Sequence, residues 1–221
     1  MLLCVFYILI NKSNYKDDIF VQLFVMDGIT KDMRPNNEVT ALAVSPEIFE
    51  ATYNALLQNS SQVSFSKIYA EQTRIKAIKQ FGKDKQTFDG IEGQWVTIPR
   101  SKRGEPDYDE HIAMVQALSE GSSWCLRFDN AHDYLQGGNL HFFLDKDGVA
   151  QVAINETDGS ITQIQKRYDQ DSSVPVAYSK VIEQFAKDNN YSHGSCSNAI
   201  KEALNAKPKF DELKAQITDL Q

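Results

Sequence analysis

NLHFFLDKDGVAQVAINETDGSITQIQ, residues 139–165, carries the clearest indication of the fold class of this chain. Apolar and polar side chains alternate along three runs within it, which is the two-residue period of β-strands. Asp147-Gly148 and Asp158-Gly159 separate the runs, and an Asp-Gly step favours a tight hairpin turn. The stretch therefore predicts three antiparallel strands connected as a meander.

Amphipathic helical patterns precede the predicted meander. One carries Ile112 and Leu118 on a single face and is expected to end at Gly121. A shorter one, DNAHDYLQGG, is expected to end at Gly137. Further upstream, QWVTIP at residues 94–99 has the pattern of a short strand.

Helical patterns also follow the meander. VAYSKVIEQFAKDN comes after Pro175, and NAIKEALNA and KFDELKAQITDLQ are expected to form two separate helices. The last segment has apolar residues at helical spacing, namely Phe210, Leu213, Ile217 and Leu220.

Helices before and after an antiparallel meander predict an α+β fold. We expect a central antiparallel sheet that contains residues 139–165, packed by the amphipathic helices around residues 112–118 and 181–185. Three glycines in GKDKQTFDGIEG mark a boundary, which divides the chain into an N-terminal strand and helix region, 1–90, and an α+β core module with C-terminal helices, 91–221.

The N-terminal region has strand and helix patterns of its own. IFVQLFVMDG predicts a strand, SPEIFEATYNALLQN (residues 45–59) predicts a helix, and residues 66–81 predict a second amphipathic helix. The opening run MLLCVFYILI, residues 1–10, also predicts a strand, with an export signal or a misassigned start as the alternatives. It lacks the basic residues of a signal peptide and is shorter than the roughly 20 residues that cross a bilayer.

Composition narrows the class of function. The 221 residues carry a net charge of −7, which argues against nonspecific binding to nucleic acid or to an anionic membrane as the main activity. Three cysteines without a CxxC pair indicate a reducing compartment, and we expect a cytoplasmic protein. The chain has no phosphate-binding glycine motif, and no cofactor is expected.

Cys125 is the candidate nucleophile. A reactive thiol needs a neighbouring base or cation, which His132, His141 or Arg127 could supply, and an acid such as Asp129 or Asp133 could orient the base. A cysteine next to a tryptophan, between a helix and a sheet, is more often a small buried apolar residue. Both interpretations are left open.

The residue types also suggest two other kinds of site, a metal site and a nucleic-acid-binding surface. Cys125, His132, His141, His193 and Cys196 supply metal-binding chemistry, but they have none of the spacings that zinc sites use, and no metal site is predicted. The most basic surface is the helix at residues 66–81, which is a candidate for nucleic-acid binding, although a solvated helix face is the simpler interpretation. Its basic residues are Lys67, Arg74, Lys76 and Lys79, and the Lys102-Arg103 pair lies further along the chain.

From residue 112 to residue 185 the features are, in order, a helix, Trp124-Cys125, a segment with Tyr134 and Gly137, the strand LHFFL, a hairpin and a helix after a proline. This order resembles the core of the PcfJ-like proteins of conjugative plasmids, and a module of uncharacterised phage and mobile-element proteins. In the family pattern a histidine precedes the cysteine, where this chain has Trp124. The resemblance therefore implies a mobile-element context and carries over no intact His-Cys pair.

Together these features lead us to expect a non-enzymatic accessory or interaction protein of a phage, plasmid or integrated mobile element, with a protein as its partner and no membrane association. The alternatives are a cysteine-nucleophile enzyme that uses Cys125 with a nearby histidine, and a nucleic-acid-binding accessory module. Enzymatic activity and the oligomeric state are left open. An interaction protein should expose an apolar patch or form an oligomer.

Overall fold

A computed structural model describes residues 7–11, 20–24, 65–168 and 174–218, with side chains from residue 69 onward. The chain forms two compact units, 1–72 and 73–221. The predicted helix at residues 45–59 and Cys4 lie outside the described residues.

In the first unit, two apolar runs form strands as predicted. β1 (Tyr7–Asn11) pairs antiparallel with β2 (Phe20–Phe24). The two strands make a two-stranded sheet of their own. Helix α1 (Phe65–Phe81) begins in the first unit and ends in the second, and it confirms the helix predicted for residues 66–81.

The second unit is built on a five-stranded antiparallel sheet, which confirms the α+β fold. Its strands follow each other in sequence order, and the predicted meander forms the last three of them. The five strands are β3 (Gln86–Phe88), β4 (Ile91–Ile98), β5 (Asn139–Asp145), β6 (Ala150–Thr157) and β7 (Ser160–Lys166).

The glycine-rich segment before β4 forms a hairpin. Asp89 and Gly90, both with positive φ, make the tight turn between β3 and β4. The boundary predicted at residue 90 coincides with this turn, whereas the first compact unit ends earlier, at Gln72. Glycines at a hairpin turn and glycines in a linker give the same compositional signal.

Helices cover both faces of the sheet. α1, α2 (Tyr108–Leu118), α3 (Asn130–Gly137) and the short 3₁₀ turn Cys125–Arg127 pack on one face, which we call the α2–α3 face. Its core includes Val96, Met114, Trp124, Leu135, Leu140 and Phe142.

α4 (Ser179–Asp188) and α5 (Ser197–Thr218) pack on the other face, the α4–α5 face. Its core includes Trp95, Phe143, Ile154, Ile182, Phe185 and Ile200. Because successive side chains of a strand point to opposite faces, neighbours such as Phe142 and Phe143 belong to different cores.

One helix replaces the two that the sequence predicted at the C-terminus. α5 continues through Pro208, where the patterns NAIKEALNA and KFDELKAQITDLQ meet. Proline removes one backbone donor and usually interrupts a helix. Here the Lys207 ammonium binds the Asp211 carboxylate at 2.6 Å, so a contact one helical turn long spans the proline. The prediction of a break was therefore wrong.

Gly137 and Gly138 form a matched pair that tests the packing between α3 and β6. A Cβ atom at Gly138 would overlap the Glu156 carbonyl and lie 2.7 Å from Thr157 Oγ1, whereas one at Gly137 would meet nothing within 4 Å. We expect Gly138→Ala to lower the free energy of unfolding by about 1–3 kcal/mol. Gly137→Ala, at the end of a helix, should leave it unchanged or raise it by up to about 1 kcal/mol. Urea denaturation measures both, and equal effects would contradict the close approach of Gly138 to β6.

Candidate functional site

Cys125 lies at the start of the 3₁₀ turn between α2 and α3 and is partly exposed. The residues before it attach this turn to the end of β7. The Trp124 indole N–H donates to the Lys166 carbonyl at 2.7 Å, and the Ser123 backbone N–H donates to the Arg167 carbonyl at 2.9 Å. Trp124 is buried and its ring packs against Phe142. Trp124, the first residue of the Trp-Cys pair, therefore has a structural role, because it attaches the turn to the sheet.

The side chain next to the Cys125 thiol is Tyr134. Burial is the main reason that the pKa of the Tyr134 phenol is raised, the nearby Cys125 raises it further, and hydrogen bonds from Gln163 and Gln165 lower it. Tyr134, Asn155 and the two glutamines, together with apolar residues that include Leu126, line a depression on the α2–α3 face. A phenol and three amides have no strong base among them, so this group can bind polar atoms but cannot activate a thiol.

His132 is held by a different partner. Its Nδ1 atom and the Tyr108 hydroxyl share a hydrogen bond of 2.8 Å, and the two rings pack at a centroid distance of 5.6 Å. Asp129, which precedes α3, and Asp133 are both exposed. Within residues 65–168, the structure describes no contact that joins Cys125, His132 and either aspartate.

His141 lies on the other side of the sheet from Cys125. Its ring contacts Phe185 of α4 at a centroid distance of 5.0 Å, whereas the next residue, Phe142, contacts Trp124 at 6.1 Å. Adjacent residues of a strand point to opposite faces, and the sheet therefore separates the Cys125 thiol from the His141 imidazole. The structure does not bring these two predicted site residues together.

His141 instead belongs to a buried polar cluster. Its Nδ1 atom and the Thr97 hydroxyl are hydrogen bonded at 2.9 Å, and its Nε2 atom lies 3.7 Å from Glu156 Oε2. Asn139 donates to the same carboxylate at 2.6 Å, and the Gly159 N–H donates to its other oxygen. Burial lowers the pKa of His141 to about 4 against the attraction of Glu156. The imidazole is neutral at pH 7, and the contact with Glu156 is not an ion pair under those conditions.

Sequence reasoning missed Glu156 as a member of this cluster. The signal was present in the hairpin register, because β6 pairs His141 with Ile154 and places Glu156 two residues further along the same strand. Residues separated by two positions share a face of a strand, and a diagonal pair is within reach of a long side chain.

Internal contacts occupy part of the basic surface of α1. Arg74 donates to the Gly148 carbonyl at 2.5 Å, and the Lys76 ammonium lies 2.6 Å from Glu110 of α2. Lys79, Lys102 and Arg103 are exposed, and the side chain of Lys67 is outside the described residues. Because α1 packs beside α2, the acid Glu110 lies against the basic surface of α1 and neutralises part of its charge. Less positive charge is therefore available for binding nucleic acid.

The remaining metal-binding residues lie apart from Cys125. His193 Nε2 is 2.9 Å from Glu183 Oε2, and burial raises the pKa of the Cys196 thiol. In the described part of the chain, no three His, Cys, Asp or Glu side chains come together as a metal site. No helix in that part is long and apolar enough to cross a membrane.

The C-terminal half of α5 exposes a row of large apolar side chains. Phe210 is 39% exposed, Leu213 49% and Ile217 60%. We call these three residues the α5 stripe. The sequence placed them on an apolar helix face, but it did not show that this face lies outside the core, whereas Ile200 and Ala203 of the same helix are buried in it.

Comparison with protein-family models, with curated proteins and with solved structures gives no match. The resemblance to the PcfJ-like proteins stays a prediction from the sequence. The expectation of a mobile-element context depends on that resemblance alone.

His141 makes the stability of the fold sensitive to acid. Its pKa is 6.5 in the unfolded chain and about 4 in the folded protein, so between these values the unfolded state binds more protons. The free energy of unfolding therefore falls as the pH falls through this range, by up to about 1.4 kcal/mol per pH unit for this one group. Urea denaturation between about pH 7 and about pH 4 should show this loss, and His141→Gln should show a shallower one. Parallel profiles for the two proteins would be inconsistent with a neutral, buried His141.

Proposed function

We propose that this chain is a non-enzymatic accessory or interaction protein of a phage, plasmid or integrated mobile element, and that it binds a partner protein through the α5 stripe. The observation that carries the proposal is the exposure of Phe210, Leu213 and Ile217 in a row on one helix face. Single exposed apolar residues are common, but a row of large ones is a feature of interaction surfaces.

An ion cluster around the buried Lys207 ammonium holds the stripe in position. The Lys207 ammonium is 7% exposed and lies 3.2 Å from Asp89 in the β3–β4 turn as well as 2.6 Å from Asp211. Lys180 of α4 binds the same Asp89 carboxylate at 2.9 Å. Hydrogen bonds from Lys180 and Lys207 lower the pKa of Asp89 and keep it ionised. These contacts connect α5 to the sheet and to α4 just before the stripe begins, so the stripe extends from a fixed support.

The alternative of a cysteine-nucleophile enzyme has less support. Among the described side chains, the neighbour of Cys125 is Tyr134, while His132 is bonded to Tyr108 and His141 lies across the sheet. Neither candidate histidine is described in contact with the Cys125 thiol, and a catalytic thiol needs such a base within reach.

Alkylation kinetics test the enzyme alternative directly. We expect iodoacetamide at neutral pH to label Cys125 no faster than it labels an unstructured cysteine peptide, and His132→Ala to leave the rate unchanged. Mass spectrometry of the alkylated peptides gives the rate for each cysteine. Labelling of Cys125 at least about tenfold faster than the peptide, with loss of that excess in His132→Ala, would restore the enzyme hypothesis.

Site-specific photo-crosslinking tests the interaction itself. With benzoylphenylalanine in place of Leu213, irradiation in the native host should give an adduct of one defined mass. The same reagent in place of Lys201, an exposed residue on the opposite side of α5, should not give that adduct. Because the contact is apolar, Phe210→Asp and Ile217→Asp together should remove it.

Two outcomes of this experiment would contradict the proposed function. One is that no adduct forms at Leu213, and the other is that the same adducts form equally at Leu213 and Lys201. Circular dichroism of the double aspartate variant is the folding control, because exposed positions of a helix tolerate polar residues.

A further inference from the structure

The α5 stripe has the spacing of a coiled-coil seam. Phe210, Leu213 and Ile217 are separated by three and then four residues, which are positions a, d and a of a heptad, and Leu220 continues the spacing in the sequence. The seam covers about two heptads, whereas self-sufficient coiled coils usually need three to four. The stripe is therefore suited to bind one helix of a partner protein that is folded independently of this chain.

Three exposed residues flank the stripe at positions e and g, and two of them are lysines while the third, Gln216, is uncharged. Lys209 occupies position g and Lys214 occupies the following position e, on the two sides of the seam. Asp211 and Glu212 occupy positions b and c, which turn away from it. The edges of the stripe are thus positive, although the chain as a whole carries a net charge of −7.

We propose that the α5 stripe binds an amphipathic helix of another protein, and that glutamate or aspartate residues flank the apolar seam of that helix. This inference rests on the proposed function and adds the chemistry of the partner. Residues at e and g select coiled-coil partners by charge, so two lysines favour a helix with acids at the facing positions.

The same charges disfavour two other occupants of the stripe, namely a second copy of this chain and an anionic membrane. In a parallel pair of copies, Lys209 of one chain would face Lys214 of the other, twice, and in an antiparallel pair Lys214 would face Lys214. An anionic membrane would attract the two lysines, but it would repel Asp211, Glu212 and the net negative charge of the chain.

Two synthetic helices that differ only in charge test this inference on the full chain. Each peptide has about four heptads with Ile at a and Leu at d, and carries either Glu or Lys at every e and g position. Fluorescence anisotropy at low salt should show that the Glu peptide binds at least about tenfold more tightly than the Lys peptide. Added salt should reduce that difference.

Three variants give the result its specificity. Lys209→Glu with Lys214→Glu should reverse the preference to the Lys peptide, and Leu213→Asp should abolish binding of both. Lys201→Glu is the matched control at position f of the same helix, and it should change neither affinity. All four positions are exposed, and circular dichroism verifies that each variant folds.

Three results would overturn the inference. They are equal binding of the two peptides or none at all, a dimer in light scattering that Leu213→Asp dissociates, and binding to phosphatidylserine vesicles that exceeds binding to the Glu peptide. The crosslink at Leu213 separates this failure from failure of the proposed function. An adduct there without Glu-peptide binding retains a protein partner and rejects only its acidic helix.

Discussion

Strand β5 runs through the middle of the sheet with helices on both faces, and all five residues from Leu140 to Leu144 are buried. Each residue of the strand is therefore assigned to one of two separate cores by its position alone. Phe142 packs with Trp124 on the α2–α3 face, and Phe143 packs with Trp95 on the α4–α5 face. The positions of the candidate chemical groups follow from this alternation, because His141 lies between residues of the opposite core.

Burial also determines which polar groups the sheet can contain. A charged imidazole at the position of His141 would lose its hydration with only a distant carboxylate to compensate, so the neutral form is favoured. The Glu156 carboxylate is tolerated because Asn139 and Gly159 donate hydrogen bonds to it. The side chains of His141 and Glu156 are at most 4% exposed, so this cluster is better explained as a buried polar part of the core than as a catalytic dyad. The His141 Nε2 atom has no hydrogen-bond partner among the described residues.

The two halves of α5 differ in what covers them. Ile200 and Ala203 pack against the sheet, whereas the residues of the α5 stripe extend past it and stay exposed. Lys207 lies at the transition, where Asp89 and Asp211 pair with its ammonium. An almost fully buried lysine requires such partners, because an ammonium without them would be an uncompensated buried charge. The support of the stripe and its availability to a partner thus have a common origin in the register of α5 on the sheet.

The period of apolar residues and the Asp-Gly turns act within a few residues, so they were enough to predict the β5–β6–β7 meander, α1 and α2. The residue types also identified Cys125, His132 and His141 as the reactive side chains. Tertiary contacts were needed to show that β4 pairs with β5, that α5 continues through Pro208, and that a sheet separates Cys125 from His141. These features depend on contacts between residues far apart in the chain, and local periodicity carries no information about which face of a helix or strand another element will cover.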